Sequence, residues 1–238
     1  MRSELFAPQN MEQQTQDTFS LQNSKMLKVR LNGELMARKG SMVAYQGQMN
    51  FDYQGSGGIG KFIKKALTGE GAPLMKVSGQ GELFLAHDAD DIHLIKLEND
   101  ALTVNGSNIL AFEPTVQWDI HRVEGAGMLS GGLFNTLLQG SGWVAITTHG
   151  APVILQTDAP TFADAQSAVA WSAGLQTRVH AQIKIGSLFG RSSGESIQMA
   201  YYGQGFVIVQ ASEGPTVPQH SHPNQGSSGG GGFNFDFG

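Results

Sequence analysis

Three short stretches constrain this chain most: SGQGELFLA at 78–86, QGSGWVAIT at 139–147 and YGQGFVIVQ at 202–210. Each is Gly-x-Gly followed at once by an apolar-rich strand pattern. The first glycines, Gly79, Gly140 and Gly203, are 61 and 63 residues apart. Gly81, Gly142 and Gly205 complete the pairs. Upstream lies a second likeness: Gly60-Lys61-Phe62, Gly132-Leu133-Phe134 and Gly186-Ser187-Leu188-Phe189. Such periodicity reports architecture before function. It implies three related β-units sharing one core, a pseudo-threefold repeat rather than an open array. Glycine pairs at these positions permit positive φ, a bulge or close backbone approach.

The rest of the chain reads as strands. Leu27, Val29 and Leu31 alternate with Lys28 and Arg30, and period two means strand. Asn32-Gly33 follows and reads as a hairpin turn. Further strands are expected at Glu82–His87, Ile92–Glu98, Ala101–Val104, Ile109–Phe112 and Val116–Arg122. Others are expected at Trp143–Thr148, Val153–Thr157, Leu175–Ile185, Ser196–Tyr201 and Phe206–Gln210. Helical periodicity is confined to Gly60–Leu67 and Asp164–Trp171. The second reads better as a strand, Ala168–Trp171, because another strand follows closely. The expectation is all-β: repeated sandwich or double-stranded β-helix-like units with at most one or two short helices.

Domain organisation follows composition. Residues 1–24 are polar and Gln/Asn-rich. Residues 25–214 form one β-rich body. Residues 215–238, PTVPQHSHPNQGSSGGGGFNFDFG, cannot bury a core and read as a disordered tail. Its Phe233, Phe235 and Phe237 form a sticker segment that could dock a partner or self-associate.

Composition excludes several function classes. The chain has no cysteine, which removes disulfides, thiol catalysis and thiolate metal sites. Its net charge of −5 argues against bulk nucleic-acid binding. MRSELFAPQN has no apolar core of a secretory signal, and no apolar run reaches the ~18 residues of a spanning helix. The expected compartment is the cytoplasm.

Chemical motifs fail on context. QGSGGIGKFIKKALTG at 54–69 contains Gly55, Gly60 and Lys61, most of a phosphate-binding loop. A working loop needs Ser or Thr after the lysine to hold magnesium. Phe62 stands there instead. The segment reads as a turn and a short amphipathic helix, with Lys61, Lys64 and Lys65 on its wet face and Phe62 on its apolar face. Weak contact with anionic lipid is the most it offers a membrane. HDADDIH at 87–93 offers His87, Asp91 and His93 as metal candidates, but it sits between strands and reads first as a polar turn. GRSSG at 190–194 matches a nucleophile elbow around Ser192, yet a strand follows where a helix is required.

Several stretches resemble a known family. They are SLQNSKMLKVRLNGELMARKGSMVAYQG at 20–47, KFIKKALTGE at 61–70, GQGELFLA, VAWSAGL at 169–175 and GQGFVIVQ. Together they span about residues 20 to 212 and resemble a bacterial member of the mitochondrial-biogenesis family named for altered inheritance of mitochondria. The resemblance implies a β-rich body similar in fold to the tryptophan RNA-binding attenuation protein. It also implies homo-oligomers, often trimers. The family has no established catalytic residues, so none is carried over and no cofactor is expected. The expectation is a non-catalytic scaffold that pairs with itself and with a protein partner. Met42, Tyr45, Met49, Phe51 and Tyr53 are candidates for its exposed apolar face. A module binding a small molecule, lipid or RNA is the first alternative. A hydrolase or metal enzyme is the second.

Overall fold

The computed structural model describes residues 1–52, 74–122, 134–180 and 198–212. Among them the chain is all-β and antiparallel, with three 3-10 turns at Glu4–Phe6, Pro8–Asn10 and Gly106–Asn108. The fourteen strands are β1 (Phe19–Asn23), β2 (Met26–Arg38), β3 (Met42–Asp52), β4 (Leu74–Leu85), β5 (Asp91–Asn105), β6 (Ile109–Phe112), β7 (Val116–Arg122), β8 (Phe134–Thr148), β9 (Val153–Gln156), β10 (Thr161–Asp164), β11 (Ala168–Ser172), β12 (Gln176–His180), β13 (Gln198–Tyr202) and β14 (Phe206–Val209).

An eleven-stranded sheet runs β3-β4-β2-β6-β8-β5-β11-β14-β9, with β1 added to β2 and β7 added to β8. A three-stranded sheet runs β10-β13-β12. The Gly-x-Gly pairs, all at positive φ, lie within or between strands. β4 lies between β2 and β3, with Gly79-Gln80-Gly81 at its midpoint. β8 lies against β5 on one side and against β6 and β7 on the other, with Gly140-Ser141-Gly142 between the parts that β7 and β6 pair. Between β13 and β14 the chain passes from the small sheet to the large one through Gly203-Gln204-Gly205. Sequence reading set these glycines before strands. In β4 and β8 they are inside strands, because the run continues as strand on both sides of the bend.

Asn32-Gly33 is likewise not a hairpin turn. It sits within the thirteen residues of β2, and Gly33, at φ +128°, lies opposite Gly79. Positive φ is what Asn-Gly supplies. Here it bends a strand instead of reversing it.

The body begins at Phe19 rather than Lys25. Phe19 is buried and pairs with Val29, so β1 belongs to the sheet. Ala168–Trp171 is a strand, β11, as expected. The stretches expected at 92–98 and 101–104 are one strand, β5. It bulges at Asn99, which adopts φ +58°. Asparagine tolerates that left-handed conformation better than most residues.

The interior divides into three clusters. One draws Met36, Leu74, Leu102, Phe112, Leu138, Val144 and Ile208 from six strands. A second centres on Leu27, Val29, Leu83, Leu85 and Ala145, and a third on Trp171, Met199 and Tyr201. The alternation in β2 explains its share: Leu27, Val29, Leu31, Leu35 and Ala37 are all buried.

Candidate functional site

Glycine at the bends is a steric requirement. A Cβ on Gly81 would overlap the carbonyl oxygen of Gln46, and one on Gly79 that of Gln48. The backbones of β3 and β4 therefore approach more closely than a side chain allows. These residues shape strands.

The turn 87–93 belongs to a polar corner built from distant parts of the chain. Asp88 and Ala89 take left-handed φ values of 44° and 58°. Asp90 is buried and pairs with His149 Nδ1 at 2.5 Å. The His149 backbone N–H donates to Gln210 Oε1 at 3.0 Å. Asn108 Nδ2 donates to the Thr147 carbonyl at 2.8 Å and to Gln210 Oε1 at 3.4 Å. Gln210 Nε2 donates onward to the Gln166 carbonyl at 3.1 Å. Arg38 Nη1 donates to the Ser107 carbonyl at 2.6 Å. The ends of β2, β4, β8 and β14 are thus tied into one network.

Burial holds the His87 imidazole below the ordinary histidine pKa, aided by Arg38 and opposed by Asp88 and Asp90. Burial also depresses His93, with Lys25 adding to the effect and Asp91 opposing it. Both rings therefore favour the neutral form. Burial lowers Arg38 from its usual value too, against Asp88 and Asp90.

The proposed metal ligands have separate partners. Asp91 Oδ1 lies 2.8 Å from Lys25 Nζ, His93 Nε2 lies 2.9 Å from Thr148 Oγ1, and His87 Nε2 lies 3.6 Å from Asp88 Oδ2. Among the described residues no three His, Asp or Glu side chains come together as a metal-binding group. The His93–Thr148 contact resembles a base and its nucleophile. However, Thr148 is fully buried, and its hydroxyl donates to the Gly150 carbonyl at 2.6 Å. That assignment makes His93 Nε2–H the donor to Thr148, so the imidazole does not take the hydroxyl proton.

Gly60, Lys61, Phe62, Lys64, Lys65, Ser192, Phe233, Phe235 and Phe237 lie outside the described residues. So does Tyr53. Of the other apolar-face candidates, Met42 and Tyr45 are exposed on β3, while Met49 and Phe51 are half-buried against the second cluster.

A cleft of about 460 Å³ opens beside the Asn32-Gly33 bend. Phe19, Val29, Leu31 and Leu35 line its floor, with Arg30 and Glu113 among the polar groups around it. Glu113 is partly occupied, because its Oε2 accepts the Trp143 N–H at 2.8 Å.

Sequence reading missed Lys28. By strand parity it faces away from the apolar row, yet its side chain is only 2% exposed. Its Nζ reaches Glu12 Oε1 at 2.8 Å, the Gln13 carbonyl at 2.7 Å and Glu82 Oε2 at 3.6 Å. Gln13 also donates its backbone N–H to Gln22 Oε1 and its Nε2 to the Gln22 carbonyl. The polar N-terminal segment is thereby strapped across the sheet, and the strap is what buries the lysine.

Antiparallel strands bent at glycines, with their ends sealed by side-chain networks, define an all-β body. No helix among the described residues is long and apolar enough to cross a membrane. The family model for mitochondrial biogenesis AIM24 matches residues 19–212, and the chain belongs to that family. In fold it is similar to the crystal structure of protein SPYM3_0169 from Streptococcus pyogenes. The TM-score is 0.65 at 21% identity, over 82% of this chain and 92% of that one. No curated protein matches the chain significantly.

Proposed function

We propose that the protein is a non-catalytic β-scaffold that acts as a homo-oligomer in the cytoplasm. The observation that carries this reading is apolar surface on the last third of the chain. Val153 and Ile154 on the edge strand β9 are 57% and 60% exposed. Phe162 and Tyr202 stand exposed on the small sheet. Exposed apolar side chains of this kind are candidates for interaction surfaces. The spacing of the three Gly-x-Gly pairs in the sequence is compatible with three related units, which would suit closed self-assembly. Native mass spectrometry of the full chain tests it. Oligomers are expected, and Ile154→Lys with Phe162→Glu should shift them toward monomer. A monomer at micromolar concentration in the unmodified protein would overturn the reading.

A ligand-binding module is the second reading, favoured by the cleft beside Gly33. Its mixture of apolar residues with Arg30, Asn32, Glu34 and Glu113 fits a small amphipathic molecule. The same spectra would carry a stoichiometric added mass if it is right.

A further inference from the structure

The core layer of the large sheet is left open at one side. β3 is its outermost strand, paired with β4 along one edge and unpaired along the other among the described residues. Its alternating side chains form two distinct rows. Tyr45 lies opposite Leu83 and Phe51 opposite Val77, both fully buried core residues. Met49 belongs to the same row. Gln46, Gln48 and Asn50 lie opposite Glu82, Gln80 and Ser78 and form the polar row. Tyr45 is nonetheless 45% exposed while Leu83 beside it is 0%. The apolar row therefore continues to the edge and stops without a cover among the described residues. Its rings are already ordered: Tyr45 and Phe51 meet edge-to-face with centroids 5.4 Å apart.

Edge strands are normally protected by charge, proline or brevity. β3 has eleven residues, no proline, and a single charge, Asp52, at its end. β9, at the other end of the strand order, has four residues with adjacent rather than alternating exposed apolar side chains. β3 is therefore the better template for an added strand.

The chain carries a segment with the matching period. Phe233-Asn234-Phe235-Asp236-Phe237 alternates aromatic and polar residues, so an extended conformation puts three rings on one face and Asn234 and Asp236 on the other. That is the pattern of β3 itself, with aromatic residues toward the core side and polar residues toward the glutamine row. The 21 residues from Ser212 to Phe233 reach up to ~70 Å when extended, several times the ~18 Å radius of gyration of a compact chain this long.

We propose that residues 233–237 add as a further strand to the free edge of β3, setting Phe233, Phe235 and Phe237 beside Tyr45, Met49 and Phe51. Backbone hydrogen bonds supply the affinity and the alternating side chains supply the register, as in other strand additions. The occupant is this chain's own C-terminal segment, donated by the same copy or by a neighbouring one. The proposal is independent of the oligomer reading, which rests on β9 and the small sheet.

Hydrogen exchange read by mass spectrometry tests it in the full chain. Amides of 42–52 should exchange at least tenfold faster in the F233S/F235S/F237S variant than in the unmodified protein. A synthetic GGFNFDFG peptide added to that variant should restore protection, whereas GGSNSDSG should not. Tyr45→Lys should weaken the restoration. Protection that survives dilution marks donation within one copy, and protection lost on dilution marks donation between copies. Unchanged exchange in the triple serine variant would overturn the proposal, as would protection by both peptides alike. Protection of 42–52 that depends on concentration but not on the three phenylalanines would assign the edge to another surface of a second copy, and would also overturn it.

Discussion

Lys28 Nζ lies 2.8 Å from Glu12 Oε1 on a side chain that β2 holds almost wholly out of solvent. The pair joins a sheet strand to a segment with little apolar anchorage, since the two N-terminal 3-10 turns contribute no buried residue. Removing one partner of a buried pair costs roughly 3–5 kcal/mol, because the other charge is left without compensation. Glu12 is partly exposed and can rehydrate, so Lys28→Met should cost about 2–3 kcal/mol by urea denaturation. It should also open residues 1–17 to limited proteolysis. Adding Glu82→Gln should recover part of the loss, because Glu82 Oε2 is buried without a hydrogen bond among the described residues.

Gly81→Ala and Gly150→Ala separate two costs of the same substitution. Both glycines have positive φ, 145° and 78°. A Cβ on Gly150 meets nothing within 4 Å, whereas one on Gly81 overlaps the Gln46 carbonyl. Gly150→Ala should cost about 1 kcal/mol from backbone conformation alone. Gly81→Ala should cost at least ~3 kcal/mol and prise β3 from β4. Chemical denaturation midpoints measure both.

Stability should fall on mild acidification. His87 and His93 have folded-state pKa values held below the ordinary 6.5. The unfolded chain therefore binds protons first as pH drops. The contribution of these residues is fully present above pH ~6.5 and is lost as pH falls through the folded values. The drop in denaturation midpoint between pH 7.5 and 5.5 should be smaller in His87→Gln/His93→Gln than in the unmodified protein. An equal drop would assign the acid response to other groups.

Tyr201 gives a substitution expected to be harmless. Its ring is fully buried against Trp171, with centroids 5.3 Å apart, and its hydroxyl has no hydrogen-bond partner among the described residues. Burial, with Asp164 adding, raises its pKa above the usual tyrosine value. Tyr201→Phe removes a desolvated hydroxyl and keeps the ring. Thermal unfolding should show it unchanged or stabilised by about 1 kcal/mol.

What was legible in the chain was local. Period-two alternation placed Val116–Arg122, and the strand that follows closely marked Ala168–Trp171 as strand, because both signals lie within a short stretch of chain. Asn32-Gly33 was misread because the dipeptide specifies only a dihedral. Whether positive φ reverses a chain or bends a strand depends on Gly79, far along the sequence. The burial of Lys28 depends on residues 12 and 13 lying over it, which parity within β2 cannot reveal. The turn 87–93 resembled a ligand set for the same reason. Lys25 and Thr148 occupy two of its three candidates, and His149 takes Asp90, from strands or loops that only folding brings near.

The long bent strands also have a consequence in time. β2 finds β4 only after residues 39–73 are closed into a loop, and β5 finds β8 only across residues 106–133. Chains dominated by such distant pairings fold over milliseconds to seconds rather than microseconds. Throughout that interval the uncharged edge of β3 faces other nascent chains. Crowding and temperature during synthesis, more than final stability, should then decide the yield of this protein.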